Sequence, residues 1–461
     1  MAVTLMSRID PNWAWEPYRP KRESPWNLQR VAHLYRRAAF GGRWQEIETA
    51  LKAGPEKTLA RLLNREPDQA EATSAFYADS ETQVTALLAT GNVENLPAWW
   101  LNLMARTPHP LLERVALVWH GHFATSAAKV EDAELMLAQN ALIRRQALAE
   151  FQPLVLGMAR DPAMLLWLDS ATNKKAHPNE NFAREVMELF CLGLGNYTEN
   201  DIKESARAFT GWEVRHREFQ FNSYQHDEGS KTVLGQTGNW NGEDIIRILL
   251  EQPAAAQFLV GKFYRAFISE TDDPSPELIE ALAAGYRKHN YNTGWLVERI
   301  LSSNLFFSEH ALGQRVKSPV EMAIGVMRGL NFSVNAFALA DDLRAQGQAV
   351  FYPPNVKGWD GGREWINSAA LLSRMNLIWA MVSGVDNRFK SPPDLAEIAA
   401  ENGFTTPAEQ VIWLTNLLLG GPLPADVQLR LTALAAENDN GSQRLARVVQ
   451  AIAARPEFHV A

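Results

Sequence analysis

Four groups of side chains in this chain have the types and spacing that chemistry needs. Glu185 and Glu188 stand at i and i+3 in a stretch of helical periodicity, the spacing at which helical bundles present carboxylates to a metal. His226 and Asp227 are adjacent in a polar stretch, and imidazole and carboxylate both serve as metal ligands and acid–base groups. His120 and His122 form a His-x-His pair: on a strand both rings would point one way, whereas on a helix residues two apart lie about 200° apart and cannot share one ion. Gly121 between them is able to end a helix and let the rings converge. The fourth group is Lys317 with the loop Asn355 to Arg363. There, glycines allow close backbone approach, and Lys357 and Arg363 are placed to hold an anionic group against Trp359 and Trp365.

Taken together, Glu185, Glu188, His226 and Asp227, with one of His120 or His122, make an oxygen- and nitrogen-rich set suited to a divalent metal ion of unspecified identity. In that reading His120, His122, His226 and Asp227 are the candidate catalytic groups. Lys317, Lys357, Trp359 and Arg363 are the candidate substrate-binding groups. Each group also has a plainer account. The histidines fit as hydrogen-bonded core or helix-end residues, the two glutamates as solvated surface acids with Arg184 or Arg207 as an ion-pair partner for Glu185, Asp227 as a turn cap, and the Pro/Gly loop as a clasp pinned by tryptophans.

The elements that must position these groups are helical almost throughout. Phe182, Val186, Leu189 and Phe190 form one apolar stripe and Asn181, Glu185 and Glu188 a second, with Pro178 and Asn179 as start signals and Gly193 and Gly195 as stops. A second helix opens at Thr198, where Thr-Glu-Asn-Asp approximates a capping box, and closes at Gly211; the short connection makes the two helices antiparallel neighbours. Leu111 to Phe123, Ala254 to Phe267, Glu277 to His289 and Thr293 to Leu301 read as further helices. Ser318-Pro319-Val320-Glu321 opens another, and several short ones follow from Leu395 to Ala454. The exceptions are Glu213 to Trp240, where Phe219 to Phe221 alternates and Lys231 to Gly235 is expected to pair back against it, and the irregular loop Tyr352 to Arg363. The fold class is therefore all-α: a large irregular multi-helix globular domain over residues 27–461 with a small hairpin excursion near 213–240, preceded by an N-terminal arm over 1–26.

Composition bounds the function. At 461 residues the length prior of about 150 per domain suggests roughly three units, yet no linker or low-complexity tract divides the chain. Hydrophobic residues at 46% and charged residues at 21% describe a water-soluble protein with a substantial core. A net charge of −8 argues against a general nucleic-acid binder. No apolar run of about 18 residues is present to cross a membrane, and Arg8, Asp10, Pro11 and Glu16 break the start as a secretory signal, so a cytoplasmic location is expected. The single cysteine, Cys191, lies between Phe190 and Leu192, which disfavours a thiolate. Phosphate-loop, zinc-helix and nucleophile-elbow motifs are absent, and Gly193-Leu194-Gly195 lacks the third glycine of a dinucleotide loop.

The string Asn179 to Glu185, with Met187 to Phe190, Leu192 to Ile202 and Glu204 to Trp212, resembles the signature of a bacterial family catalogued as domain of unknown function 1800. Arg37 to Gly41, Trp119 to Phe123, His226-Asp227 with Lys231 and Gly235, Arg315 to Pro319, Phe351 to Trp359 and Pro456 to Phe458 fit the same pattern in order. Gly121 departs from it, standing where the family more often carries a side-chain amide. The resemblance implies no established activity, but it does imply a neighbouring partner of the alkaline-phosphatase-like kind. Two functions follow as expectations: a metal-assisted hydrolase or lyase acting on an anionic or saccharide-like substrate, or a non-catalytic binding or assembly protein that works with such a partner.

Overall fold

Helix boundaries in the computed structural model, which describes residues 9–389, 391–437 and 440–461, follow the capping chemistry of the sequence. Asn179 accepts from the Phe182 N–H at 3.0 Å and opens Glu180–Glu185. Thr198 and Asp201 cap each other reciprocally and open Glu199–Ala208. Ser318 and Glu321 do the same for Pro319–Gly329, with proline at the first helical position. Pro110–His122, Pro253–Phe267, Pro276–Lys288 and Thr293–Leu301 match the expected helices to within a residue or so, and Leu395–Glu401, Pro407–Leu419, Ala425–Ala435 and Gly441–Ala453 fill the C-terminal stretch. Twenty-five α-helices occur among the described residues.

The two places where periodicity misleads are instructive. The Glu180 helix does not remain α: from Val186 to Leu192 it widens into a π-helix, ending at Gly193 in a left-handed conformation (φ +75°). The excursion after Gly211 is two hairpins rather than one. Trp212–Arg215 pairs with Glu218–Phe221, and Lys231–Val233 pairs separately with Gln236–Gly238. Each has a two-residue turn with positive φ at both positions, His216-Arg217 and Leu234-Gly235, the geometry that matches strand twist and closes a hairpin locally. The expected pairing of Phe219–Phe221 with Lys231–Gly235 is thereby excluded.

One hydrophobic cluster runs from Ala14 to Phe458. The described part of the N-terminal arm packs onto it: Trp15 Nε1 donates to Leu278 O at 2.9 Å, and the Tyr18 N–H donates to Ser302 O at 2.7 Å. The first eight residues of the arm lie outside the described residues.

Within this core lies a network of buried charge. Glu321 is 4% exposed; its Oε1 receives Arg114 at 2.5 Å and Arg315 at 2.6 Å, while Oε2 accepts the Ser318 N–H at 2.7 Å. Arg315 reaches on to Glu270 at 3.2 Å. Arg37, fully buried, donates to the carbonyls of Ile268 and Ala311. Burial by itself would raise the Glu321 pKa, but Arg114 and Arg315 outweigh it and hold the carboxyl down to about 2.

The loop Tyr352 to Arg363 lies across the end of Pro110–His122. An added Cβ at Gly358, whose φ is +86°, would stand 2.4 Å from the Gly121 carbonyl oxygen, whereas one at Gly121 would meet only the Trp359 ring at 3.9 Å. Farther along, Gly361 and Gly362 pass over Glu270, with would-be Cβ atoms 3.5 and 3.6 Å from its carboxylate oxygens.

Two outcomes follow. Glu321→Gln, leaving Arg114 buried without its anion and Arg315 with Glu270 alone, costs about 3–5 kcal/mol, and the same loss appears in the native protein on acidification. A depressed pKa means that this stabilisation is complete above the unfolded carboxyl value near 4.5 and disappears as pH falls towards about 2, a window that thermal midpoints at stepped pH will trace. Gly358→Ala costs about 1–3 kcal/mol, while Gly121→Ala is neutral or stabilises by up to about 1 kcal/mol, as compared by thermal denaturation of the two variants.

Candidate functional site

The histidine pair sits on one uninterrupted helix, because Gly121 does not end Pro110–His122. The rings therefore diverge. His120 Nε2 accepts the Phe351 N–H at 2.9 Å, and its ring lies among Trp100, Phe351 and Trp359. His122 Nε2 donates to Phe190 O at 3.1 Å, a carbonyl on the π-helix. Burial lowers the pKa of both, His120 to about 4, and keeps them neutral. Two buried imidazoles are thus spent on two backbone groups of neighbouring segments.

His226 and Asp227 are also engaged. The His226 Nδ1–H donates to Thr210 O at 2.8 Å, and the ring lies edge-on to Phe221. Asp227 receives Arg207 at 2.7 Å through Nε and 3.2 Å through a terminal nitrogen, and its Oδ1 also takes the Gly229 N–H at 2.8 Å. Those contacts, Arg207 foremost, hold its carboxyl down to about 2. Arg207 pairs with Glu204 as well, and Arg184 with Glu199 at 2.8 and 2.9 Å. Neither arginine forms an ion pair with Glu185, the plainer alternative for that residue, although Arg184 acts on it at longer range.

Those two glutamates are half-buried on the seam helix while Asn181 is exposed. Burial, then the nearby Glu188, raises the Glu185 pKa; Glu188 accepts the Tyr197 hydroxyl at 2.5 Å. Among the described residues no three His, Cys, Asp or Glu side chains come together as a metal-holding group, so the four expected ligands are not gathered round one point.

The expected substrate-binding residues divide in the same way. Lys317 is buried, its Nζ donating to Phe458 O at 2.7 Å and lying over the Phe458 ring. Lys357 is exposed and paired with Asp360, its neighbour on the same loop. Trp359 packs beside His120 against the Gly121 backbone. Arg363 is at the start of the 3-10 turn Gly362–Trp365, whose backbone wraps over Glu270. Lys317 and Lys357 thus have separate partners, one in the core and one on the loop itself.

A cleft that sequence reasoning missed has the character of a binding site. It encloses about 520 Å3, within the roughly 300–1,000 Å3 usual for ligand pockets. Its walls are the helices Trp44–Ala53 and Pro55–Leu62, the start of the helix Pro67–Leu88, the turn Arg106 to Pro110, and Arg328. Five cations line it: Arg43, Lys57, Arg61, Arg106 and Arg328; the described acids on its walls are Glu46 and Glu66. Glu46 is committed to the Arg43 N–H at 2.7 Å and lies 3.8 Å from Arg328, which is itself held by the Ala105 and Thr107 carbonyls at 3.2 and 3.0 Å. Arg43, Lys57, Arg61 and Arg106 have no carboxylate within 4.0 Å among the described residues. The N-terminus of Pro110–His122 opens at the same rim and adds the positive end of its dipole. Thr49, Gln45 and Gln69 offer neutral hydrogen-bonding groups.

A neighbouring cleft of about 800 Å3 shares Ala53 and Lys57; it sets Arg19, Lys57, Arg65 and Arg299 against Glu56 and Glu298, and its Arg65 is closed bidentately on Glu298 at 2.5 and 2.7 Å. The signal for the first cleft was present as Lys57 and Arg61 at i and i+4, one face of a helix. Its other cations, Arg43, Arg106 and Arg328, arrive from the ends of other elements, where no local pattern announces them.

No helix among the described residues is long and apolar enough to cross a membrane. Neither a curated protein nor a solved structure matches the chain. A family model described as protein of unknown function (DUF1800) matches residues 33–460, nearly the whole length, and the chain belongs to that family.

Proposed function

We propose that this protein is a non-catalytic binding protein that captures a small organic anion, bearing phosphate or carboxylate groups, in the cleft between Arg43, Lys57, Arg61, Arg106 and Arg328. One observation carries this reading: a chain of net charge −8 concentrates five cations in a single cleft and leaves four of them without a carboxylate partner among the described residues. Guanidinium groups match carboxylate and phosphate oxygens in fork geometry, and a concave wall raises their field above that of scattered surface charges.

The engagement of the other candidate groups supports binding over metal-assisted hydrolysis. A hydrolytic centre needs carboxylates and imidazoles with lone pairs turned to one ion, whereas Asp227 is occupied by Arg207, and His120 and His122 by backbone groups. In this reading the chemistry belongs to a partner, of the alkaline-phosphatase-like kind that the family resemblance implies, and this chain supplies capture.

Titration calorimetry with inorganic phosphate and with citrate tests the proposal. Saturable binding that weakens as ionic strength rises is the expected result. Arg61→Ala and Arg106→Ala, both at exposed positions, should each weaken it about tenfold, equivalent to about 1.4 kcal/mol. Equal affinity in wild type and both variants overturns the assignment of the cleft. Stoichiometric divalent metal in the purified protein, together with a hydrolytic activity lost in Glu185→Gln, would overturn the non-catalytic reading in favour of the metal-assisted one.

A further inference from the structure

The buried charge network described above does not balance. Arg37, Arg114, Arg315, Lys317, Arg374 and the partly buried Arg36 lie within electrostatic reach of one another, and the carboxylates that reach them are Glu270 and Glu321. Glu321 is already shared by two guanidiniums. Arg374, 1% exposed, has Lys317 O and the His459 ring as partners for two of its nitrogens, and its Nε has none. Lys317, 7% exposed, has one oxygen acceptor, Phe458 O, and burial, with Arg36 and Arg374 beside it, pushes its pKa well down unless an anion accompanies it. An excess of cations in a low-dielectric interior is costly unless an anion accompanies it.

A place for that anion exists. Lys317 and Arg36 line a cavity of about 20 Å3, floored by Gly41, Gly42 and Gly325. That is just above the roughly 10–15 Å3 needed for one water-sized particle, and too small for phosphate or an organic anion. The turn that borders it has Phe40 in the left-handed region (φ +63°), after Ala39 has closed the preceding helix with its N–H on Tyr35 O at 2.8 Å. Gly41 and Gly42 are buried, and their N–H groups, with that of Phe40, have no acceptor among the described residues. Buried backbone donors without acceptors are rare, and here the residues that carry them line the same space as Lys317.

We propose that this cavity holds one halide-sized anion, chloride in ordinary salt, bound by the Lys317 ammonium, the Arg36 guanidinium and the N–H groups of the Phe40–Gly42 turn. The ion offsets the positive excess and ties the turn after Leu28–Ala38 to the Lys317 segment and, through Phe458, to the C-terminus. The site is separate from the open cleft, whose cations it does not share.

The experiment has two arms on the full chain. Thermal midpoints in sodium chloride should exceed those in sodium gluconate at equal ionic strength by about 1–3 °C, saturably, and the difference should vanish in Lys317→Met and in Arg36→Gln. Arg36 is partly exposed, so its variant keeps the test open where Lys317→Met does not fold. Crystals exchanged into sodium bromide should show an anomalous peak in this cavity. Equal midpoints in the two salts, a chloride response that survives in both variants, or the absence of bromide from the cavity overturns the proposal.

Discussion

The fold depends on keeping one carboxylate ionised inside its core. Glu321 closes the capping box of Pro319–Gly329 with one oxygen and receives Arg114 and Arg315 with the other, so a helix start, the helix Pro110–His122 and the segment before Ser318 are fixed by a single side chain. Loss of the cap alone would cost about 1 kcal/mol, whereas loss of the charge strands Arg114 in low dielectric, leaves Arg315 with Glu270 alone, and dominates by a factor of several. From Arg315 the constraint passes to Glu270 and to the glycines of the loop that covers it. From Lys317 it passes to the chain end: the Lys317 N–H donates to His459 O at 2.8 Å, and Val316 bridges Val460. The segment Arg315 to Pro319 is therefore a hub of scaffold contacts, which explains why so polar a motif lies in the interior.

Much of the fold was legible because its information is local. Asn179, Thr198 and Ser318 act within three residues of themselves, and proline or glycine at a boundary needs no distant partner. The π-helix was not legible, since Phe182, Val186, Leu189 and Phe190 also satisfy a 3.6-residue period over so short a run. Its widening is a tertiary matter: the wider turns alter the pairing of carbonyls near Phe190, and His122 from another helix donates to that one. Likewise the two hairpins follow from turn residues, His216-Arg217 and Leu234-Gly235, whose left-handed backbone is not announced by residue type except at Gly235.

The candidate chemistry was less legible, for a related reason. Residue type signals reactivity, but whether a group is available depends on what else competes for its lone pairs and protons. Asp227, His226, His120 and His122 each have the composition of a site residue, and each meets a partner that only tertiary structure supplies: Arg207, Thr210 O, the Phe351 N–H and Phe190 O. The loop from Asn355 to Arg363 reads equally well as a cradle or a clasp from its glycines. The 2.4 Å approach that a Gly358 Cβ would make to the Gly121 oxygen decides for the clasp. Gly121 is then the counterpart of Gly358, a bare helix surface over which the loop can lie.

The division between satisfied and unsatisfied charge separates scaffold from function in this chain. Interior groups are expensive to leave unpaired, so the polar residues that draw the eye in the sequence are the ones the fold must consume to exist at all. Cations facing an open cleft carry little such cost, because water solvates them, and they are free to await a ligand that displaces that water with better-placed oxygens. Lys57, Arg61 and Arg106 meet this condition and lie on helices that the core already holds in place. Binding there uses geometry that folding has already fixed, and the ordering cost at the moment of capture is confined to a few side-chain rotamers.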